Sequence, residues 1–166
     1  MRIHDDHLYH GAALTQIAEH PQFTAINSFK DADNVSRSAF RVNNDIGVYF
    51  KYCTKPKRPF SEYIFTFTEA NIAEIDRISN LVEELQLALV CVKDRHICCL
   101  DYSTFCQLIE WRQAAFGGEE DQYTVLVTLE EGKSFRVYVN QPGKRKTVLK
   151  KRITIARNKF PTALFS

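Results

Sequence analysis

Long apolar runs are missing from this chain of 166 residues. The longest, Leu87 to Val92, is far shorter than the roughly 20 residues that a membrane-spanning helix needs. The amino terminus has no apolar segment behind a basic start, so it does not have the pattern of a secretory signal. These absences predict a soluble cytoplasmic protein without a membrane partner.

The chain also has few glycines, 6 in all, and lacks a glycine-rich phosphate loop, a dinucleotide-binding fingerprint, an internal repeat and any low-complexity segment. Without the two glycine motifs, the nucleotide-binding folds that depend on them are excluded, and no organic cofactor is expected. Hydrophobic residues at 45% and charged residues at 25% are ordinary for a globular protein. A chain of this length can bury its own core, so we expect a single domain over residues 1–166.

Patterns typical of disulfides and of zinc sites are lacking too. The 5 cysteines are an odd number and lie in apolar sequence, which indicates small buried side chains in a reducing compartment. Cys98 and Cys99 are adjacent, so on a strand they point to opposite faces and cannot easily bind one zinc ion together. We therefore expect neither disulfides nor structural zinc.

Acidic residues are absent from the end of the chain. From Gly132 to Ser166 there are ten Lys or Arg and no Asp or Glu, while the preceding residues have a net charge of −8. Six of these cations lie close together after a turn and are candidates to contact nucleic-acid phosphates: Lys144, Arg145, Lys146, Lys150, Lys151 and Arg152. The alternative is a solvated segment that balances the acidic remainder of the chain. Four aromatic residues, either stacking platforms or core, accompany this region: Trp111, Tyr123, Phe135 and Tyr138.

The local patterns predict short helices and strands in mixed order. Helices are expected at Gly11–His20, from an N-cap at Asn71, and from Ser103 to Ala115 before Gly117. The polar stretch Lys30–Ser38 is expected to be a loop. Strands are expected within Ala39–Thr54, folded at Asn43-Asn44-Asp45, and at Glu62–Thr68, Leu87–Val92, His96–Leu100, Tyr123–Leu129, Ser134–Asn140 and Ile153–Ala156.

This order of elements predicts an α+β protein with a central mixed or antiparallel sheet flanked by helices. Leu87–Val92 is continuously apolar, as expected for a central strand covered on both faces. We expect residues 1–118 to form an α/β core. Residues 119–166 are expected to form a basic β-hairpin module packed on that core.

Three charged residues form the main candidate for chemistry. Glu19 lies near the end of the first predicted helix, and alternation along the strand places Asp45 and Lys51 on the same side as Tyr49. A helix Glu followed by a strand Asp and a Lys resembles the restriction-endonuclease-like superfamily. The resemblance implies that Glu19 and Asp45 hold Mg²⁺ and that Lys51 stabilises the attacking water or the phosphate. Tyr49 stands where that family has an acid two residues before the lysine, so the site would be degenerate or unusual.

The same residues have a purely structural interpretation. Asp45 would cap a turn, Lys51 would extend its amine past aromatic rings, and Glu19 would be a solvated residue at a helix end. The first functional hypothesis is a nucleic-acid-associated protein that binds the DNA or RNA phosphate backbone and has a possible Mg²⁺-dependent nuclease-like site. The alternative is a non-enzymatic protein-interaction or sensor module. A third hypothesis is a small-molecule binder in which the strand face that carries Tyr49 forms the floor of the pocket.

Overall fold

The computed structural model describes residues 1–31 and 34–166 and shows an α+β protein, which confirms the fold class. The helices are α1 Asp5–Ala18, α2 Glu69–Ser79 and α3 Tyr102–Phe116, and a 3₁₀ turn, Thr162–Phe165, lies near the end of the chain. The strands are β1 Ile26–Asp31, β2 Asn34–Val42, β3 Ile46–Cys53, β4 Glu62–Thr68, β5 Glu84–Cys91, β6 His96–Asp101, β7 Gln122–Thr128, β8 Phe135–Tyr138, β9 Asn140–Gln141, β10 Lys144–Val148 and β11 Ile153–Ile155.

The first sheet has the strand order β1-β2-β3-β5-β6. β3 and β5 are parallel, while the other neighbours are antiparallel, so the predicted mixed sheet is confirmed. β5 is buried from Leu85 to Cys91, and its side chains contribute alternately to two apolar clusters. The continuous apolar pattern of this strand is thus explained by cover on both faces.

The second sheet is antiparallel and has the order β11-β8-β7-β4, with β9 and β10 as a separate two-stranded ribbon. β4 follows β3 in the chain but leaves the first sheet and pairs with β7, from Glu62 opposite Thr128 to Thr68 opposite Gln122. The alternating pattern of β4 indicates which face is buried, but it fits either sheet equally well. The choice of partner is therefore visible only in the structure.

Two apolar clusters hold these layers together. The larger joins one face of the first sheet, through Tyr49 and Leu87, to the inner face of β4, through Phe65, and to Phe105 of α3. The smaller lies on the opposite face of the first sheet. It contains Ala13 and Ile17 of α1 and Phe160 and Leu164 of the terminal segment, together with the strand residues Val42, Val48, Phe50, Ala88, Val90, Ile97 and Cys99.

Two local features in the first part of the chain differ from the sequence prediction. α1 begins at Asp5 and not at Gly11. Lys30–Ser38 was expected to be a loop, but Asn34 already begins β2; residues 32 and 33 lie outside the described part of the chain. β1 and the first residues of β2 are largely exposed, and polar side chains are tolerated at such a sheet edge.

The cap of α2 is Thr68 and not Asn71. The Thr68 hydroxyl accepts the backbone N–H of Asn71 at 3.2 Å, and the Asn71 side chain accepts the N–H of Thr68 at 3.0 Å. Both residues are good caps, but only this pairing satisfies two backbone donors at once. α3 ends at Gly117, as predicted, with φ at +89°. Within residues 1–31 and 34–166, no helix has the length and apolar character to cross a membrane.

Candidate nucleic-acid interface

Asp45 and Lys51 lie at opposite ends of β3. Asp45 is exposed in the turn before the strand, where its carbonyl oxygen accepts the N–H groups of Glu83 at 3.0 Å and Glu84 at 3.2 Å. Lys51 is the sixth residue of the strand, and at about 3.3 Å per residue the two positions are about 20 Å apart. The Lys51 ammonium instead lies 5.2 Å from the centre of the Phe67 ring.

Glu19 is the exposed C-cap residue of α1. α1 packs on one face of the first sheet, whereas Lys51 and Phe67 lie on the opposite face. Among the described residues, no three His, Cys, Asp or Glu side chains are placed to hold a metal ion together. The donor set that the resemblance implies for Mg²⁺, Glu19 and Asp45 beside Lys51, is therefore not gathered at one point. Metal-dependent cleavage stays a prediction of the resemblance.

The surroundings of Lys51 and Tyr49 are those of a core. Burial lowers the pKa of the Lys51 amine, because the charged form loses solvation there. Tyr49 is 1% exposed. Burial is the main cause that raises the pKa of its hydroxyl to about 12, and the nearby Glu74 carboxylate adds to this rise. The expectation of a pocket floor at Tyr49 is wrong, because the larger apolar cluster covers this side chain.

An open groove lies instead on the outer face of the second sheet. Its floor includes a row of Ile64, Leu126 and Tyr138, which are direct neighbours across β4, β7 and β8. The segment before β4 and the β9–β10 ribbon meet above this floor, where the Lys146 ammonium lies 5.1 Å from the centre of the Phe60 ring. Two adjoining cavities of about 400 and 600 Å³ share Phe60, Glu62 and Lys146, and we call them together the basic groove.

Positive charge is concentrated in the basic groove. Nine Lys or Arg and three Glu line it, a surplus of six, although the whole chain has a net charge of only +2. The rest of the protein is therefore net negative. The cations are Lys57, Arg58, Arg112, Lys133, Arg136, Lys144, Arg145, Lys146 and Arg152, and the acids are Glu62, Glu120 and Glu130.

Each acid of the basic groove has a partner within the groove. Arg112 binds Glu120, with Nε 2.5 Å from Oε1. Lys133 binds Glu130 at 2.8 Å, and this ammonium holds the pKa of the Glu130 carboxyl below its usual value. Glu62 accepts a hydrogen bond from the hydroxyl of Tyr138, and burial raises the pKa of that hydroxyl.

Seven groove cations form no ion pair with an Asp or Glu of the described residues: Lys57, Arg58, Arg136, Lys144, Arg145, Lys146 and Arg152. Of these, Arg136 donates to the backbone oxygens of Ser134 at 3.1 Å and Phe135 at 3.3 Å. The charge of these cations is thus directed to the groove and to solvent, where a phosphate would meet it.

Four of the six predicted phosphate-binding residues line the basic groove: Lys144, Arg145, Lys146 and Arg152. The other two do not. The Lys150 ammonium lies 5.6 Å from the centre of the Trp111 ring, and Lys151 is exposed outside both cavities.

Of the four predicted aromatic platforms, three are core residues: Tyr123, Phe135 and Tyr138 are at most 6% exposed. Lys57, Arg58 and Phe60 complete the groove, although the sequence pattern does not identify them as part of a site. The signal for them was the basic, proline-bounded stretch Lys55-Pro-Lys-Arg-Pro59, but nothing in its local pattern connects it to β10.

The basic groove thus offers unpaired cations, an exposed aromatic ring and polar atoms on one open face. Such a surface suits an anionic polymer better than a small apolar ligand. Comparisons with protein-family models, with curated proteins and with solved structures find no match to this chain.

Proposed function

We propose that this protein binds nucleic acid by contacting its phosphates in the basic groove. The observation that carries the proposal is the set of seven groove cations that form no ion pair within the described residues, in a chain that is otherwise net negative. Binding of phosphates by such cations releases counterions, so affinity falls steeply as salt rises. Contacts to the backbone alone carry little sequence preference.

The two halves of the positive surface come from distant parts of the chain. Lys57 and Arg58 precede β4, and Lys144 to Lys146 begin β10, yet both segments line the larger cavity. A solvated segment that merely balances acidic neighbours would not need to meet a second basic segment. This meeting favours the phosphate-binding interpretation over the charge-balancing one.

The proposal includes a cytoplasmic location, which the five cysteines in apolar sequence favour. It assigns no catalytic step to the groove. Cleavage with Mg²⁺ at Glu19, Asp45 and Lys51 belongs to the resemblance and is tested separately below.

The test measures fluorescence anisotropy of labelled DNA and RNA at several salt concentrations. The groove variant carries Lys144→Gln, Arg145→Gln and Lys146→Gln, and the control variant carries Arg2→Gln, Lys30→Gln and Arg37→Gln, which removes three exposed cations outside the groove. We expect the groove variant to bind about tenfold or more weakly at low salt, with a salt slope shallower by up to about 3, since each lost phosphate contact removes roughly 0.9. The control variant should bind like the wild type.

Two added conditions separate the other hypotheses. Poly-glutamate tests the alternative of a protein-interaction module for acidic partners, which would bind this polymer at least as tightly as nucleic acid, whereas a phosphate-binding groove would bind nucleic acid more tightly at equal charge. Mg²⁺ or Mn²⁺ added to the wild type, Asp45→Ala and Lys51→Ala tests cleavage, and an intact substrate with the wild type would remove the nuclease hypothesis. Wild type that binds no nucleic acid at low salt would overturn the proposed function.

A further inference from the structure

Phe60 is the accessible aromatic ring of the basic groove. Its side chain is 50% exposed and lines both cavities, whereas Tyr123 and Tyr138 of the same groove are 6% and 3% exposed. Large apolar side chains are usually covered, and this one stands among cations. A ring held open beside phosphate-binding residues is suited to stack on a nucleic-acid base.

The contact between Lys146 and Phe60 brings a phosphate-binding group next to a ring on which a base can stack. The Lys146 ammonium lies 5.1 Å from the ring centre, in the range of a cation–π contact. A base that stacks on Phe60 would take the place of this ammonium on the ring. Lys146 has no acidic partner among the described residues, so it is free to turn to the phosphate of the same nucleotide.

Asn140 adds an unsatisfied acceptor to the larger cavity. Its side-chain oxygen is buried and has no hydrogen-bond partner in the described part of the chain. Arg112 donates a hydrogen bond to the backbone carbonyl of the same residue at 2.7 Å, which holds the backbone of Asn140 in place at the cavity. A buried oxygen without a donor is costly, and the exocyclic amine of a base is a suitable donor.

From these three observations we propose that the basic groove binds single-stranded nucleic acid, with one base stacked on Phe60 and base amines reaching Asn140. The inference rests on the proposed function and narrows it. In a duplex the bases are paired and stacked inside, so they cannot reach a ring within the groove, whereas an unpaired strand can turn its bases toward it.

The test compares wild type, Phe60→Leu and the matched control Phe116→Leu, whose ring is 53% exposed and lies outside both cavities. Each protein is titrated into labelled 15-nucleotide oligo-dT, oligo-U and a 15-base-pair duplex, after thermal unfolding confirms that the variants fold. We expect wild type to bind single strands more tightly, and Phe60→Leu to lose about tenfold or more in single-strand affinity with the duplex unchanged. Phe116→Leu should change neither affinity.

The outcomes distinguish this inference from the proposed function. Equal affinity for duplex and single strands, with no effect of Phe60→Leu, would overturn the single-strand inference and leave phosphate binding intact. No binding to any of the probes at low salt would overturn both. Oligo-dC should bind more tightly than oligo-dT, because cytosine carries the exocyclic amine, and Asn140→Leu should abolish that difference; equal wild-type affinities would overturn the role of Asn140.

Discussion

His10 is the most deeply buried ionisable imidazole of the described residues. It is 5% exposed between α1 and the first sheet, and its ring stacks on Phe50 with centroids 5.4 Å apart. Its Nδ1 lies 3.3 Å from the backbone oxygen of Arg37, to which it can donate. Burial lowers the pKa of His10 below 6.5, and the hydrogen bond to Arg37 and the charge of Asp6 oppose this shift only in part.

The lowered pKa gives a pH-dependent stability. Above pH 6.5 the imidazole is neutral in both states, but as the pH falls below 6.5 the unfolded chain takes up the proton first. The free energy of unfolding should therefore fall until the pH passes below the native pKa of His10. Urea unfolding of wild type and His10→Gln at pH 7.5 and 5.5 checks this expectation. The wild type should lose more stability than the variant, by at most about 1.4 kcal/mol per pH unit, and equal losses would contradict it.

Single residues also show which parts of a site can be predicted from sequence. Alternation correctly places Lys51 beside Tyr49, and the six residue steps from Asp45 to Lys51 amount to a long separation on an extended strand. The positive charge of Lys144 to Lys146 was equally visible. The role of Phe60 could not be predicted from the sequence. It depends on the position of Lys146, which only the fold brings close to the Phe60 ring.

At the scale of elements, β3 shows how closely the layers approach. A Cβ on Gly47 would lie 3.0 Å from Val82 Cγ2 and 3.2 Å from Leu85 Cδ1. Contacts this short require the neighbouring side chains to move in a packed core. The absence of a side chain here is thus what allows the segment between α2 and β5 to pack against β3.

Gly47→Ala and Gly11→Ala should change stability in opposite directions. Gly47→Ala should lower the free energy of unfolding by about 1–3 kcal/mol, because it overpacks the core. Gly11 lies within α1, and a Cβ there would meet no atom within 4 Å. Gly11→Ala should raise the free energy of unfolding by about 0.5–1 kcal/mol, because alanine has a higher helix propensity than glycine. Urea unfolding at pH 7.5 measures both changes, and an unaffected Gly47→Ala would show that the neighbours can yield.

The positions of the strands along the chain were more predictable than the partners with which the strands pair. The boundaries of β5, β6 and β7 lie within three residues of the prediction, because apolar periodicity reports which side chains are buried. The partner of β4 was not predictable, since Tyr63, Phe65 and Phe67 would be buried as well in the first sheet as in the second. Pairing depends on contacts between distant segments, which a local pattern does not contain.

Across the whole molecule, the carboxyl-terminal part of the chain covers both apolar clusters. β7 and β8 cover the larger cluster with Val125, Val127 and Val137. The terminal segment covers the smaller cluster with Phe160 and Leu164. Residues 119–166, which the sequence predicts to be a module packed on a core, therefore contribute to both sides of the first sheet.

A fragment of residues 1–118 should not fold alone. It would leave β4 without its partner β7 and would expose apolar side chains of both clusters, including Phe65 of β4 and Ile17 of α1. We expect the fragment to lack the near-ultraviolet circular dichroism of the full chain and to unfold in urea without a cooperative transition. Mixing it with a fragment of residues 119–166 should restore part of the signal, because the missing strands can pair in trans.

The full chain, as the control, should unfold in one transition that coincides for fluorescence and circular dichroism. A cooperative transition of the 1–118 fragment alone would show instead that the first sheet and its helices are stable without the second sheet, and that the basic groove is built on a separable part of the protein.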